Sequence, residues 1–214
     1  MYKAVVFDFD GTIIDTEKHL YDIINKHLSF HGVKPVSLEF YRSHIGGHAQ
    51  GLHDYIEQQI GLEKKQKIYD EHNDTSHELD IIDTVSSLMK YLKQRHIPMA
   101  IATSSYREEI MPTINALGID EYVDVIVGRE DVEAVKPDPE LYLTAVQRLN
   151  YSPAHCLAIE DSANGATGAM NAGLDVIINT NEMTEAQDFS AITFVGKDLS
   201  FEQIKNRFFE TNKE

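Results

Sequence analysis

Four short apolar bursts restrict the architecture of this chain more than any other feature: AVVF at 4–7, PMAIA at 98–102, HCLAIE at 155–160 and DVIIN at 175–179. Their centres lack polar alternation, which is the pattern of strands buried on both faces. Helical spacing fills the intervals, through Val85, Leu88, Met89 and Leu92, then over 106–117, 139–149 and a Gly- and Ala-rich stretch at 164–172. Further strands are expected at Tyr122–Val127 and Ile192–Val195, with a terminal helix around 199–209. Strands alternating with helices imply a parallel or mostly parallel sheet covered on both sides. Pro112 lies inside the 106–117 stretch, where its missing N–H is expected to distort the helix.

Residues 16–80 break this alternation. A helical pattern runs through Leu20, Ile23, Ile24, His27 and Leu28, and further helices are expected near 37–44, 49–60 and 63–73. Breaks fall near Gly32–Pro35, Gly46–Gly47 and Gly61, and no segment reads as a strand. An all-helical insert in an α/β chain follows, and 214 residues suffice for one domain with an insertion or for two modest ones. There is no internal repeat and no low-complexity run. A formal charge of -16, from 19 basic and 35 acidic residues, opposes binding to a nucleic-acid polymer or an anionic membrane. The lone Cys156 cannot form an intrachain disulfide; it reads as a buried core residue, with a reactive thiol the alternative. The opening MYKAVVFDFDG lacks a secretory pattern and no later run is long enough to span a bilayer, so a cytoplasmic protein is expected.

Asp8, Thr103 and Asp161 each follow an apolar strand. In an open α/β sheet such strand ends converge on one crevice, where loops and helix N-termini bind anions. In VVFDFDGTIIDTE, Asp8 and Asp10 form either an acidic turn or, because clustered carboxylate oxygens suit a hard cation, a magnesium site. Thr103 and Ser104 of IATSS can hydrogen-bond a phosphate or cap the next helix. Lys136 of VKPDPE either faces solvent or brings positive charge to the crevice on an approach stiffened by Pro137 and Pro139. In LAIEDSANGATGAMNAG, Asp161 is the stronger metal-ligand candidate. Glu160 can ligate directly, through water, or only orient neighbours, and Gly165, Gly168 and Gly173 fit turn geometry and close helix–sheet packing.

DFDGTIIDTE, ATSS, VKPDPE and AIEDSANG together resemble, in order and spacing, the haloacid dehalogenase-like phosphohydrolase superfamily, and most closely its β-phosphoglucomutase-like and phosphoglycolate-phosphatase-like branch. The resemblance covers nearly the whole chain. It implies a three-layer, Rossmann-like, mostly parallel α/β core of residues 1–15 and 81–214, with residues 16–80 as a helical cap whose two crossings act as hinges. It also implies magnesium-dependent hydrolysis of a small-molecule phosphate monoester, a sugar phosphate among the candidates. In that family pattern Asp8 is the nucleophile that becomes an aspartyl phosphate, and Asp10 is the acid/base, its backbone carbonyl also reaching the metal. Thr103 and Lys136 orient the phosphate, with Ser104 in support, and Asp161 and Glu160 complete the metal set with Asp8.

The mutase members of the branch carry a His soon after the first motif and an Arg after a cap glycine. Here Leu20 stands at the His position with His19 beside it, and Ala49 stands where the Arg is expected. Tyr106 and Arg107 replace a Lys–Asn pair. These departures favour a phosphatase over a β-phosphoglucomutase, which is the alternative. His48, Arg107 and Glu17 are the candidate substrate contacts, each with a surface or salt-bridge role as its simpler reading. A metal-binding module without turnover is a second alternative, and DFDGT is not a GxGxxG dinucleotide fingerprint. A monomer or weak homodimer is expected.

Overall fold

The apolar bursts lie side by side. In the computed structural model, which describes residues 1–44 and 50–210, the strands are β1 (Ala4–Phe7), β2 (Met99–Ala102), β3 (Val125–Val127), β4 (Cys156–Glu160), β5 (Asp175–Ile178) and β6 (Gly196–Lys197). They form one sheet in the order β3-β2-β1-β4-β5-β6, with every pairing parallel. In register, Val5 stands opposite Met99 on one side and Leu157 on the other.

Side-chain alternation along these strands builds two cores. Ala4, Val6, Ala100, Ala102, Ala158 and Val176 face α7 (Glu140–Arg148) and α8 (Ala163–Asn171) through Leu141, Tyr142, Ala145, Ala166 and Ala169. Val5, Phe7, Met99, Ile101, Leu157 and Ile177 face the other way. They meet Val85, Leu88, Met89 and Leu92 of α5 (Asp83–Gln94), Ile110 and Ile114 of α6 (Arg107–Ala116), and Ile204 of α9 (Phe201–Ile204). Three layers result, and the strands are unalternated in sequence because both faces are covered.

Two expected strands are displaced. β3 begins only at Val125: Tyr122 closes a 3-10 turn by donating its N–H to Ile119 O (2.9 Å), and pairing starts where Asp124 N meets Met99 O (2.8 Å). The strand expected at Ile192–Val195 forms at Gly196–Lys197 instead, because Ile192 turns back onto Phe189 and both side chains plug the core. α6 is continuous across Pro112, held by the apolar contacts of Ile110 and Ile114. The terminal helix α9 runs into a π-helical turn at Lys205–Phe209.

Every regular element among the insert's described residues is helical: α1 (Thr16–Phe30), α2 (Leu38–Arg42), α3 (Gln50–Ile60) and α4 (Leu62–Thr75), then a 3-10 turn at Ser76–Glu78. Asp15 caps α1 by accepting from Lys18 N, and Ser37 caps α2 by accepting from Phe40 N. Ile23, Ile24, Leu28, Tyr41, Leu52, Ile56 and Ile68 form a third core, which Met183 from the turn after β5 joins. The outgoing and returning chains are stitched together where Ile82 N donates to Ile13 O (2.9 Å).

α8 approaches the end of β4 so closely that a Cβ on Gly165 would sit 1.9 Å from Glu160 Oε1. Gly165→Ala is therefore expected to lower stability by about 1–3 kcal/mol, measured by urea denaturation. An unchanged midpoint would mean that Glu160 is free to move aside.

Candidate active site

The strand order reverses around β1, and the carboxyl ends of β1, β2 and β4 open on one crevice, the position where open α/β sheets bind ligands. The loop after β1 folds back across this opening. Gly11 permits it, with φ +83° and so little room that a Cβ would lie 2.4 Å from Asp161 Oδ2.

Asp8, Glu160 and Asp161 are all buried, and each offers an oxygen within 4.8 Å of the others. Among the described residues, one cation faces them. Lys136, its side chain only 7% exposed, pairs with Asp8 and lies 2.7 Å from Glu160 Oε1. Glu160 also accepts from the Tyr142 hydroxyl (2.6 Å) and from the backbone N–H of Asp161 (3.1 Å). Asp161 accepts from the Thr12 hydroxyl on Oδ1 (3.3 Å) and from Asn181 Nδ2 on Oδ2 (2.7 Å).

This arrangement is under electrostatic stress. Burial pushes the Asp8 carboxyl up to about 8, Lys136 opposes the rise, and repulsion from Glu160 and Asp10 adds to it. Burial, then Asp8 and Glu160, hold Asp161 well above the usual carboxylate range. Burial acts to lower the Lys136 ammonium, but Asp8 and Glu160 together hold it above its ordinary value. Three carboxylates against one ammonium leave room for about two more positive charges, and an all-oxygen donor set suits a divalent cation.

Asp10 stands at the mouth, half-buried and held by three hydroxyls: Thr16 on Oδ1 (2.9 Å), and Ser105 (2.7 Å) and Thr103 (3.3 Å) on Oδ2. Thr103 is fully buried and also accepts from Ser105 N (3.0 Å). The cavity wall beside it is formed by Ser104 and Ser105. The cavity, about 410 Å³, has Asp8, Asp10, Lys136 and Asp161 in its lining, and Thr16, Glu17 and Leu20 of α1 and His72 of α4 come from the insert.

The structure thus brings Asp8, Asp10, Thr103, Ser104, Lys136, Glu160, Asp161 and Glu17 to one region. Arg107 is placed otherwise. It makes ion pairs to Glu130 (2.9 Å) and Asp131 (3.1 Å), its simpler reading, and Arg129 rather than Arg107 lines the cavity. His48 and Ala49 lie outside the described residues. His19 turns away from the cavity, its Nε2 2.8 Å from Thr75 Oγ1, while His72 Nε2 lies 3.2 Å from Thr16 O. Sequence reasoning passed over Ser105, which sits in the same ATSS run, and Tyr142, His72 and Asn181, which belong to no motif and arrive only through tertiary packing.

The family profile for haloacid dehalogenase-like hydrolases matches residues 5–179. The chain belongs to that family. YhcW of Bacillus subtilis is 35% identical over 192 residues, 86% of each chain. The phosphorylated carbohydrates phosphatase of Thermotoga maritima is 31% identical over 82% of this chain and 83% of its own. Among solved structures, CbbY from Rhodobacter sphaeroides in complex with phosphate superposes with a TM-score of 0.78 at 25% identity, covering 95% of this chain and 96% of that one. The chain is a phosphatase of the family that hydrolyses small phosphate esters, and its carboxylate cluster is consistent with a divalent-metal site. No helix among the described residues is long and apolar enough to cross a membrane.

Glu17 gives the site a pH signature. Burial pushes its carboxyl from 4.5 to about 7, against a hydrogen bond from Tyr41 and with repulsion from Asp10 and Asp15. The folded chain therefore holds this proton to higher pH than the unfolded chain does. The associated stability is fully present below pH 4.5 and is lost as pH rises through about 7. In metal-free protein followed by urea denaturation, Glu17→Gln is expected to flatten this decline, since Gln still accepts from Tyr41. Parallel pH curves for the two proteins would contradict the assignment.

Proposed function

We propose that this phosphatase acts on small sugar-phosphate-type monoesters, with Asp8 as nucleophile and Asp10 as acid/base. The observation that carries this reading is the pairing of a buried carboxylate on Lys136 with a second carboxylate tethered at the cavity mouth. Asp8 attacks phosphorus, the bond to the ester oxygen breaks, and Asp10 gives its proton to the departing alkoxide. Asp10 then takes a proton from water as that water attacks the aspartyl phosphate, releasing inorganic phosphate and restoring Asp8. Lys136 offsets the negative charge brought by the phosphoryl group, with Ser104 and Thr103 at the phosphate end. Magnesium held by Asp8, Asp161, Glu160 and the Asp10 carbonyl would supply the remaining positive charge that lets a carboxylate meet a phosphate dianion.

The sugar-phosphate class is supported by the carbohydrate phosphatase among the relatives and by the polar groups Glu17 and His72 that the insert brings to the cavity. Hydrolysis is favoured over mutase chemistry because Leu20, not His19, faces the cavity. We take residues 1–15 and 81–214 as core and 16–80 as cap, and a cytoplasmic location, with Cys156 as a buried, unpaired thiol, as part of the same reading.

The test is phosphate release from a panel of sugar phosphates with magnesium and with chelator. Turnover is expected to need magnesium. In single-turnover experiments that read release of the alcohol, and so the first step alone, Asp10→Asn is expected to slow alkyl esters by roughly 10²–10⁴-fold and p-nitrophenyl phosphate far less, because an aryloxide leaves without a proton. Equal losses on both substrates in that first step would remove Asp10 as the acid.

A further inference from the structure

The turn after β5, from Asn181 to Gln187, touches both halves of the molecule. On the core side, the Asn181 amide nitrogen donates to Asp161 Oδ2 (2.7 Å) and to Gly11 O (3.0 Å). One side chain thereby joins the loop after β1 to the carboxylate at the end of β4. The amide oxygen of Asn181 accepts from Met183 N (2.8 Å) and Thr184 N (3.1 Å), so the same group shapes its own turn.

On the insert side, Met183 is 1% exposed and packs in the apolar cluster of Ile23, Ile24, Leu28 and Ile56. Arg42 of α2 closes over the turn, donating to the Glu182 carbonyl and pairing with Glu185 (2.9 Å). The apolar plug and the guanidinium contact hold this core turn against the helical insert.

The consequence concerns Asp161. Its oxygens receive one donor each, Thr12 on Oδ1 and Asn181 on Oδ2, which restrains rotation of the carboxylate while leaving further lone pairs for a cation. Partners that orient a ligating carboxylate set metal affinity almost as strongly as the ligand does. The donor to Oδ2 is in place only while its turn is in place, and the turn is anchored in the insert. We infer that Asn181 is a positioning residue for Asp161, and that the Met183 turn ties the orientation of this carboxylate to the seating of the helical insert. This inference rests on the reading of Asp161 as a magnesium ligand.

The test is calorimetric titration of the substrate-free full chain with magnesium chloride, together with steady-state kinetics. Wild type is expected to bind saturably, and Asn181→Ala to bind about 10- to 100-fold more weakly. Met183→Ala, which touches neither the carboxylates nor the cavity, is expected to weaken magnesium binding severalfold and to raise KM more than it lowers kcat, because substrate helps reseat the insert. Met183→Leu, which keeps the apolar plug, is expected to restore both values. Circular dichroism checks the fold, and should Asn181→Ala not fold, the Met183 pair carries the test alone. Magnesium affinity unchanged in Asn181→Ala would overturn the positioning role, and unchanged affinity and KM in Met183→Ala would overturn the link. Absence of binding in wild type would overturn the metal reading itself, and this inference with it.

Discussion

Everything about this site depends on the cost of burying three carboxylates around one ammonium. Asp8, Glu160 and Asp161 are removed from water at the ends of two adjacent parallel strands, and among the described residues Lys136 alone pairs with this cluster. Such a cluster is poorly tolerated by itself, as the raised carboxyls of Asp8 and Asp161 make plain. It becomes sensible when a divalent cation and a phosphoryl group share the space, because each then relieves charge that the other creates.

The fold meets this demand by surrounding the carboxylates with donors from distant parts of the chain. Tyr142 reaches Glu160 from α7, Thr12 and Asn181 hold the two oxygens of Asp161, and Thr16, Thr103 and Ser105 hold Asp10. The two roles proposed for Asp8 and Asp10 differ in environment. Asp8 lies deep against Lys136, while Asp10 stands at the opening among neutral hydroxyls, where a proton can be exchanged with a leaving group or with water. The insert adds Glu17, Leu20 and His72 to the lining of the cavity; on the proposed mechanism the core carries the reacting groups and these helices meet the rest of the substrate.

Much of this was legible in the chain itself, for reasons that differ by residue. The doubly buried strands announce themselves by unbroken apolar runs, and Asp8, Thr103, Ser104, Glu160 and Asp161 sit within a residue or two of the ends of those runs. Where strands are short and their pairing begins with a backbone bond from the residue just before the strand, as at Asp124 and Val195, sequence pattern misplaces the boundary. Arg107 had a salt bridge as its simpler reading, but its partners Glu130 and Asp131 are more than twenty residues away and are not legible as such in the chain. Asn181, Tyr142 and His72 left no local trace. Their importance arises from which element packs where, and a single amide or hydroxyl in an ordinary segment does not advertise its partner.

The central claim is that the phosphoryl group passes through a covalent bond to Asp8. Rapid acid quench during turnover of a sugar phosphate, followed by borohydride reduction and peptide mass spectrometry, reads this directly, because an acyl phosphate is reduced to the alcohol while a free carboxylate is not. The account predicts conversion of Asp8 to homoserine only when substrate and magnesium are both present, with Asp10 unmodified. Turnover that proceeds with Asp8 unmodified at every quench time, under conditions that trap a known acyl phosphate, would contradict it.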